Sequence, residues 1–258
     1  MATVFSSTYL VYVVVMVTTI LGAEYLGKRL YKRVGSTVSG VHVWLSFLCF
    51  VLAGIPIYAV LHAQGMEEEL VLLWTRLVGQ LSTFVFARHF VLDIPVSFKQ
   101  FVLNISKPVS NSFFLQSIGI GLFAILFSGS WIALLEMLGY AHQSQSLVEA
   151  LQQSAGVKLW LSIVVITVVA PIAEETLFRG MLLSWLHKHK RLPVVPSIFC
   201  TGCIFGLFHY DSLTSVPPLI VFGCLLTWLQ IRSENLLYPM LAHFINNVLV
   251  VFLLLGLF

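Results

Sequence analysis

Charge is what this chain has least of. Asp, Glu, Lys and Arg make up 10% of its 258 residues, against about 25% in a soluble domain. Such a sequence cannot clothe a water-soluble surface. A net charge of +3 is too small for a nucleic-acid partner, whose phosphates are bound by neutralising many charges at once. The chain has two aspartates, Asp93 and Asp211, neither deep in an apolar run, which excludes an intramembrane aspartyl dyad. There is no HExxH helix motif of a metalloprotease. No GxSG precedes a suitable histidine, which argues against a serine intramembrane protease. The N-terminal MATVFSSTY lacks the basic region of a signal peptide, so no cleavable signal is expected. Repeats and low-complexity tracts are absent. Of four cysteines, Cys200 and Cys203 form a lone CxxC, a weak signal without a second pair. Cys49, Cys200, Cys203 and Cys224 all lie in apolar runs and read as small buried helix residues.

Apolar residues fill the space that charge leaves. Hydrophobic residues make up 59% of the chain and the mean hydropathy is +0.95. A helix needs about 20 apolar residues to cross a hydrocarbon core of about 30 Å. Eight runs qualify: 9–26, 41–61, 70–87, 113–138, 159–186, 194–209, 217–231 and 236–258. The expected fold is therefore all-α, a polytopic membrane helix bundle of about eight transmembrane helices. We expect one membrane domain over 1–258, with N-terminal spans in 1–112 and the functional motifs in 113–258. Basic residues orient it. With both ends outside, Lys28, Arg29, Lys32, Arg33, Arg88, Lys99, Lys107, Lys188, Lys190, Arg191 and Arg232 all fall in cytoplasmic loops. Glu67, Glu68 and Glu69 fall outside. The segment SLVEALQQS in the loop after the fourth span is expected to form a short interfacial helix, and the loop 88–112 to be partly helical.

Ionisable residues inside a bilayer cost at least about 2.5–3.5 kcal/mol each and so call for a reason. They gather in the C-terminal half. The fifth span carries Glu174, Glu175 and Arg179; the sixth ends in FGLFH, Phe205 to His209; the eighth holds HFINN, His243 to Asn247. Glu175 and Arg179 are four apart, in the favourable order for an ion pair along one helix. Glu174 then points elsewhere, with no partner on its own helix. Such a carboxylate can serve as a general base, a metal ligand or a proton-relay site. His209 and His243 come from two other spans and are its natural partners. Asn247 shares a face with His243 and can offer an amide N–H to a developing oxyanion. Phe205, one turn before His209, can wall the site from water. Asn246 reads as a packing or helix–helix bonding residue. Straight helices set these groups at different levels. From the inner face His209 comes out about 22 Å up, Asn247 about 17 Å and Glu174 about 8 Å. A common site needs a kink, for which Pro171 is available, or shifted helix ends.

These motifs resemble those of a known family. EETLFRG is similar to the EExxxR motif of the CAAX protease and bacteriocin-processing (Abi) family, FGLFH to its FxxxH motif, and HFINN to its HxxxN motif. All three stand in the family's order on separate spans, within roughly the last hundred residues. The resemblance implies a type II CAAX endopeptidase-like intramembrane peptidase. In it Glu174 and His209 would activate water, His243 and Asn247 would stabilise the oxyanion, and Glu175 and Arg179 would hold the site together. It leaves open a glutamate-type or a metal-dependent mechanism. Two histidines and one carboxylate, His209, His243 and Glu174, would suit a catalytic Zn²⁺ with one open position. The implied substrate is a hydrophobic or lipidated peptide or a membrane protein, met in the lipid bilayer. The small size and lack of appended domains fit a bacterial inner membrane, where a hydrophobic tail is the expected substrate rather than a prenylated protein. The competing reading is a non-catalytic membrane protein: an ion- or proton-coupled carrier, or a bacteriocin immunity protein acting by binding.

Overall fold

In the computed structural model, residues 4–34, 40–91, 110–141, 151–152 and 154–256 are described. They form eight helices and no strand. The expected interfacial helix and most of the loop 88–112 fall largely outside the described residues. Packing divides the chain into two compact units, Met1–Pro95 and Val96–Phe258.

The first unit is a three-helix assembly: α1 (Val4–Val34), α2 (Gly40–Ala63) and α3 (Glu68–Val91). Ala53, Ile57 and Leu61 of α2 meet Val71 and Val78 of α3, and Val15, Met16 and Ile20 of α1 close the cluster. Spacings of four in α2 and seven in α3 keep those contacts on one helix face. The α2–α3 turn contains Gly65, whose φ of 68° favours a residue without Cβ.

The second unit holds α4 (Asn111–Met137), a long helical run over 156–189 that we call α5, α6 (Val194–Leu207), α7 (Val216–Ser233) and α8 (Leu237–Leu254). Helix α4 packs on α8 and α7, and α7 packs on α6. The α6–α7 contact depends on Gly202 and Gly206. A Cβ at Gly202 would lie 2.8 Å from Cys224 N, and one at Gly206 2.8 Å from Ile220 N. Two small residues four apart let the backbones touch, which is how helices associate where lipid supplies no hydrophobic drive.

Six helices among the described residues are long and apolar enough to cross a membrane, and Val14–Gly27 and Val194–Leu207 are shorter apolar segments. The chain is thus a multi-pass integral membrane protein. The sixth expected span needs correction. Helix α6 has 14 residues, only about 21 Å of rise, and stops at Leu207, so His209 lies in a turn beyond it. The polar stretch Tyr210-Asp211-Ser212 favours local backbone bonding over helix. The Pro217-Pro218 pair then opens α7, where missing N–H groups cost least. The cysteines also differ from expectation. Cys200 is exposed, the other three are half-buried, and all four are free.

Candidate active site

Helix α5 is regular only in pieces. Gly156–Val164 and Ala170–Glu175 are α-helical, while Val165–Val169, Thr176–Leu182 and Trp185–His189 are π-helical. Pro171 explains the first interruption. It has no N–H for the carbonyl of Thr167, and its ring crowds that turn, so the preceding residues adopt the wider register. Thr167 and Thr176 turn their hydroxyls back to Ile163 O and Ile172 O, each at 2.7 Å. Glu174 and Glu175 therefore sit in a short α segment between two π segments, a setting that recurs at functional sites.

The two neighbouring glutamates face different partners. Glu175 is fully buried, and its Oε1 accepts a hydrogen bond from Arg179 Nη1 at 2.8 Å. The same oxygen lies 2.8 Å from His243 Nδ1. Arg179 donates its other terminal nitrogen to Gly223 O at 2.9 Å. Its guanidinium carbon stands 4.6 Å from the centre of the Phe205 ring. One buried ion pair thus ties α5 to α7 and α8. Breaking either partner would strand a charge in a low-dielectric interior, whereas the intact pair is compensated.

Glu174 turns to the histidines. Its Oε2 lies 3.9 Å from His209 Nε2 and 4.0 Å from His243 Nε2. That oxygen is buried and has no hydrogen-bond partner in the protein. The depth mismatch of the straight-helix estimate does not occur. The span Gly156–His187 has 32 residues, or about 48 Å of rise against a core of about 30 Å, so its ends do not mark the membrane faces.

The other ring nitrogen of each histidine fixes the tautomer. His209 Nδ1 lies 2.9 Å from Phe205 O. A carbonyl can only accept, so Nδ1 carries the proton and Nε2 presents its lone pair to Glu174. His243 Nδ1 donates likewise to the Glu175 carboxylate. Phe205 is fully buried. Its ring centre is 5.0 Å from that of His209, 5.8 Å from that of His243 and 5.1 Å from that of Phe178. Phe222 meets His243 edge-on at 5.5 Å. The site is largely closed: side-chain exposure is 20% for His209, 13% for Glu174 and 6% for His243.

Asn247 is held differently. Its Nδ2 donates to Ile166 O at 2.8 Å, in the first π segment, and its Oδ1 accepts from Asn246 Nδ2 at 3.1 Å. One hydrogen of the Asn247 amide is thereby committed to α5. Asn246 bonds within its own helix, not across to another. His187 is part-buried, with Nδ1 3.0 Å from Leu192 O.

The donor set bears on zinc. Two Nε2 lone pairs and a carboxylate are the right chemistry, and their outer nitrogens are oriented as in metal sites. The spacing is wrong. Two ligands of a tetrahedral zinc bound at about 2.1 Å stand about 3.4 Å apart, closer than the 3.9 and 4.0 Å found here. Among the described residues no set of three His, Cys, Asp or Glu is placed to hold a metal ion. As arranged, the residues do not fit the ion. A water bonded at about 2.8 Å to two acceptors spans about 4.6 Å at its tetrahedral angle, and the 3.9 and 4.0 Å found here would hold one at an angle of about 90°.

Comparison with known proteins converges on the same part of the chain. Residues 156–249 match the family model described as type II CAAX prenyl endopeptidase Rce1-like. A protein of Escherichia coli, described as an uncharacterized 24.3 kDa protein, is 32% identical over 85 residues. That alignment covers 32% of this chain and 39% of the relative. The chain thus spans well under half the length of the curated relative it matches. No solved structure matches.

Proposed function

We propose that the protein is an intramembrane endopeptidase of the glutamate type, a reading supported by the match of residues 156–249 to the type II CAAX prenyl endopeptidase Rce1-like family model. The observation that carries this reading is the convergence of Glu174 Oε2, His209 Nε2 and His243 Nε2, with 3.9 and 4.0 Å from the carboxylate oxygen to the two nitrogens and no hydrogen-bond partner for that oxygen in the protein. Water is the molecule that satisfies them. It donates one hydrogen to Glu174 and one to His209, which aims an oxygen lone pair at a carbonyl carbon.

Attack forms the C–O bond as a water proton passes to Glu174. His243 takes a proton from solvent on Nε2 before the attack and stands as an imidazolium, backed by the Glu175 carboxylate on Nδ1. It then donates to the tetrahedral oxyanion. Asn247 Nδ2 has a second hydrogen beyond the one given to Ile166 O, and offers it to the same oxygen. Collapse of the intermediate breaks the C–N bond, and the proton held by Glu174 passes to the leaving amine. Arg179 balances Glu175, so the ionised site is close to neutral, as a low-dielectric setting requires. Phe205 and Phe222 keep bulk water from the imidazoles.

The substrate is a hydrophobic or lipidated peptide, or the tail of a membrane protein, entering from the bilayer. A bacterial inner membrane is the location, supported by the Escherichia coli relative, and it favours a hydrophobic tail over a prenylated one. Hydrolysis of such peptides by the purified protein, lost in Glu174→Gln and in His209→Ala while both variants remain folded, is the expected result. Full cleavage by either variant would reject the assignment. Glu174-dependent ion flux in liposomes with no peptide product would favour a carrier instead.

A further inference from the structure

His209 stands outside regular helix: it is tied back to α6 by its N–H to Gly206 O at 3.0 Å and by Nδ1 to Phe205 O at 2.9 Å, and on its other side by the segment that follows. The chain leaves α6 at Leu207 and turns through Phe208, His209, Tyr210 and Asp211. Local bonds carry it onward: Ser212 N donates to His209 O at 3.2 Å, and Ser215 N to Ser212 O at 2.9 Å. The Ser212 and Ser215 hydroxyls pair at 2.7 Å, and Ser212 is completely buried. A short 3-10 turn, Leu213–Ser215, leads directly into α7. The catalytic imidazole is therefore one end of a compact strap whose other end is the first turn of α7.

That first turn has a defect written into the sequence. In a helix the carbonyl of Thr214 would accept from the residue four further on. That residue is Pro218, which has no N–H. Helix α4 supplies a replacement: Trp131 Nε1 donates to Thr214 O at 2.9 Å. The bond joins residues 83 apart, and the indole is half-buried.

We propose that Trp131 is a positioning residue for the peptidase reaction, acting through the Thr214 carbonyl that Pro218 leaves without a helical donor, and so fixing His209 against Glu174. The inference rests on the hydrolytic reading of the site. Trp131 touches none of the reacting atoms. Its N–H sets the strap, and the strap sets the distance from His209 Nε2 to Glu174 Oε2. A proline at 218 leaves the carbonyl available to a side chain on another helix, where a residue with an N–H would have tied it within α7.

The test is a rescue. Trp131→Phe keeps the ring and removes the donor, and should lower kcat about tenfold with KM unchanged, since sub-ångström misplacement of a catalytic group costs rate rather than binding. Pro218→Ala restores an N–H to the helix. In the Trp131→Phe background it should return most of the lost kcat, while alone it changes little. Trp131→His, which retains a ring N–H, should fall between wild type and Trp131→Phe. The ¹⁵N resonance of the His209 imidazole should shift in Trp131→Phe and move back in the double variant. Unchanged kcat in Trp131→Phe would overturn the inference, as would failure of Pro218→Ala to restore both rate and resonance. If Trp131→Phe does not fold, Trp131→His and Pro218→Ala are read alone, and equal loss in both would overturn it. If wild type hydrolyses nothing, the hydrolytic reading itself fails.

Discussion

Both units turn hydroxyls back on their own helices, and the second adds side-chain bonds between helices that converge on one site. In Met1–Pro95, hydroxyls turn back on their own helices. Ser46 Oγ bonds His42 O at 2.9 Å, Thr75 Oγ1 bonds Val71 O at 2.7 Å and Thr83 Oγ1 bonds Gly79 O at 2.9 Å. Thr83 also reaches across, to Ser46 O at 3.4 Å. In Val96–Phe258, polar groups also bond between helices. Arg179 reaches Gly223 O, His243 reaches Glu175, Asn247 reaches Ile166 O and Trp131 reaches Thr214 O. A bond back to one's own helix hides a hydroxyl from lipid and fixes nothing else. A bond across helices fixes distance and angle between elements. The first unit is consequently a packed scaffold, and the second can hold side chains from three elements in a constant arrangement.

Substitutions in the two units should therefore separate cleanly. Glu174→Gln is expected to lower kcat by about 10³-fold or more, the upper range for a lost general base, with the fold intact by size-exclusion chromatography. Glu175→Ala should destabilise the second unit by about 3–5 kcal/mol, because it strands the buried Arg179 charge. Thermal unfolding in detergent reads this directly, and an unchanged transition would remove the structural role of the pair. Gly206→Ala places a Cβ 2.8 Å from Ile220 N and 3.0 Å from Val216 O. The cost should be about 1–3 kcal/mol, as for other overpacked contacts, with activity falling as α6 is pushed off α7. Thr75→Val in the first unit removes a hydroxyl whose bond returns to its own helix, at Val71 O. It should shift stability by less than about 1 kcal/mol and leave kcat unchanged. A loss of activity there comparable to that of Gly206→Ala would end the contrast between the units.

The sequence displays the parts of the site more clearly than their arrangement. Eight apolar runs correspond one to one with eight helices, because a span needs only length and hydropathy. The i,i+4 pairing of Glu175 with Arg179 followed from helix geometry alone, as did the need for Glu174 to look elsewhere. Three things were not legible. His209 was assigned to a helix because its turn is flanked by apolar residues and its polar signal, Tyr210 to Ser212, lies just beyond. The depths of the site residues were misjudged because α5 is longer than the core it crosses and carries π segments, for which only Pro171 gave a hint. The bond from His243 to Glu175 joins positions 68 apart, and no spacing rule reaches that far. The same holds for Trp131 and Thr214, where the Pro217-Pro218 pair was the available signal.

Oxygen transfer from water tests the central claim most directly. Purified wild-type protein, stripped of metal with a chelator and its metal content checked by elemental analysis, is given a hydrophobic peptide in H₂¹⁸O. We expect hydrolysis to persist and to place one ¹⁸O in the new C-terminal carboxylate of the product, with none formed by Glu174→Gln. Cleavage that stops on chelation and returns with zinc would contradict an account in which Glu174 and His209 activate the water unaided.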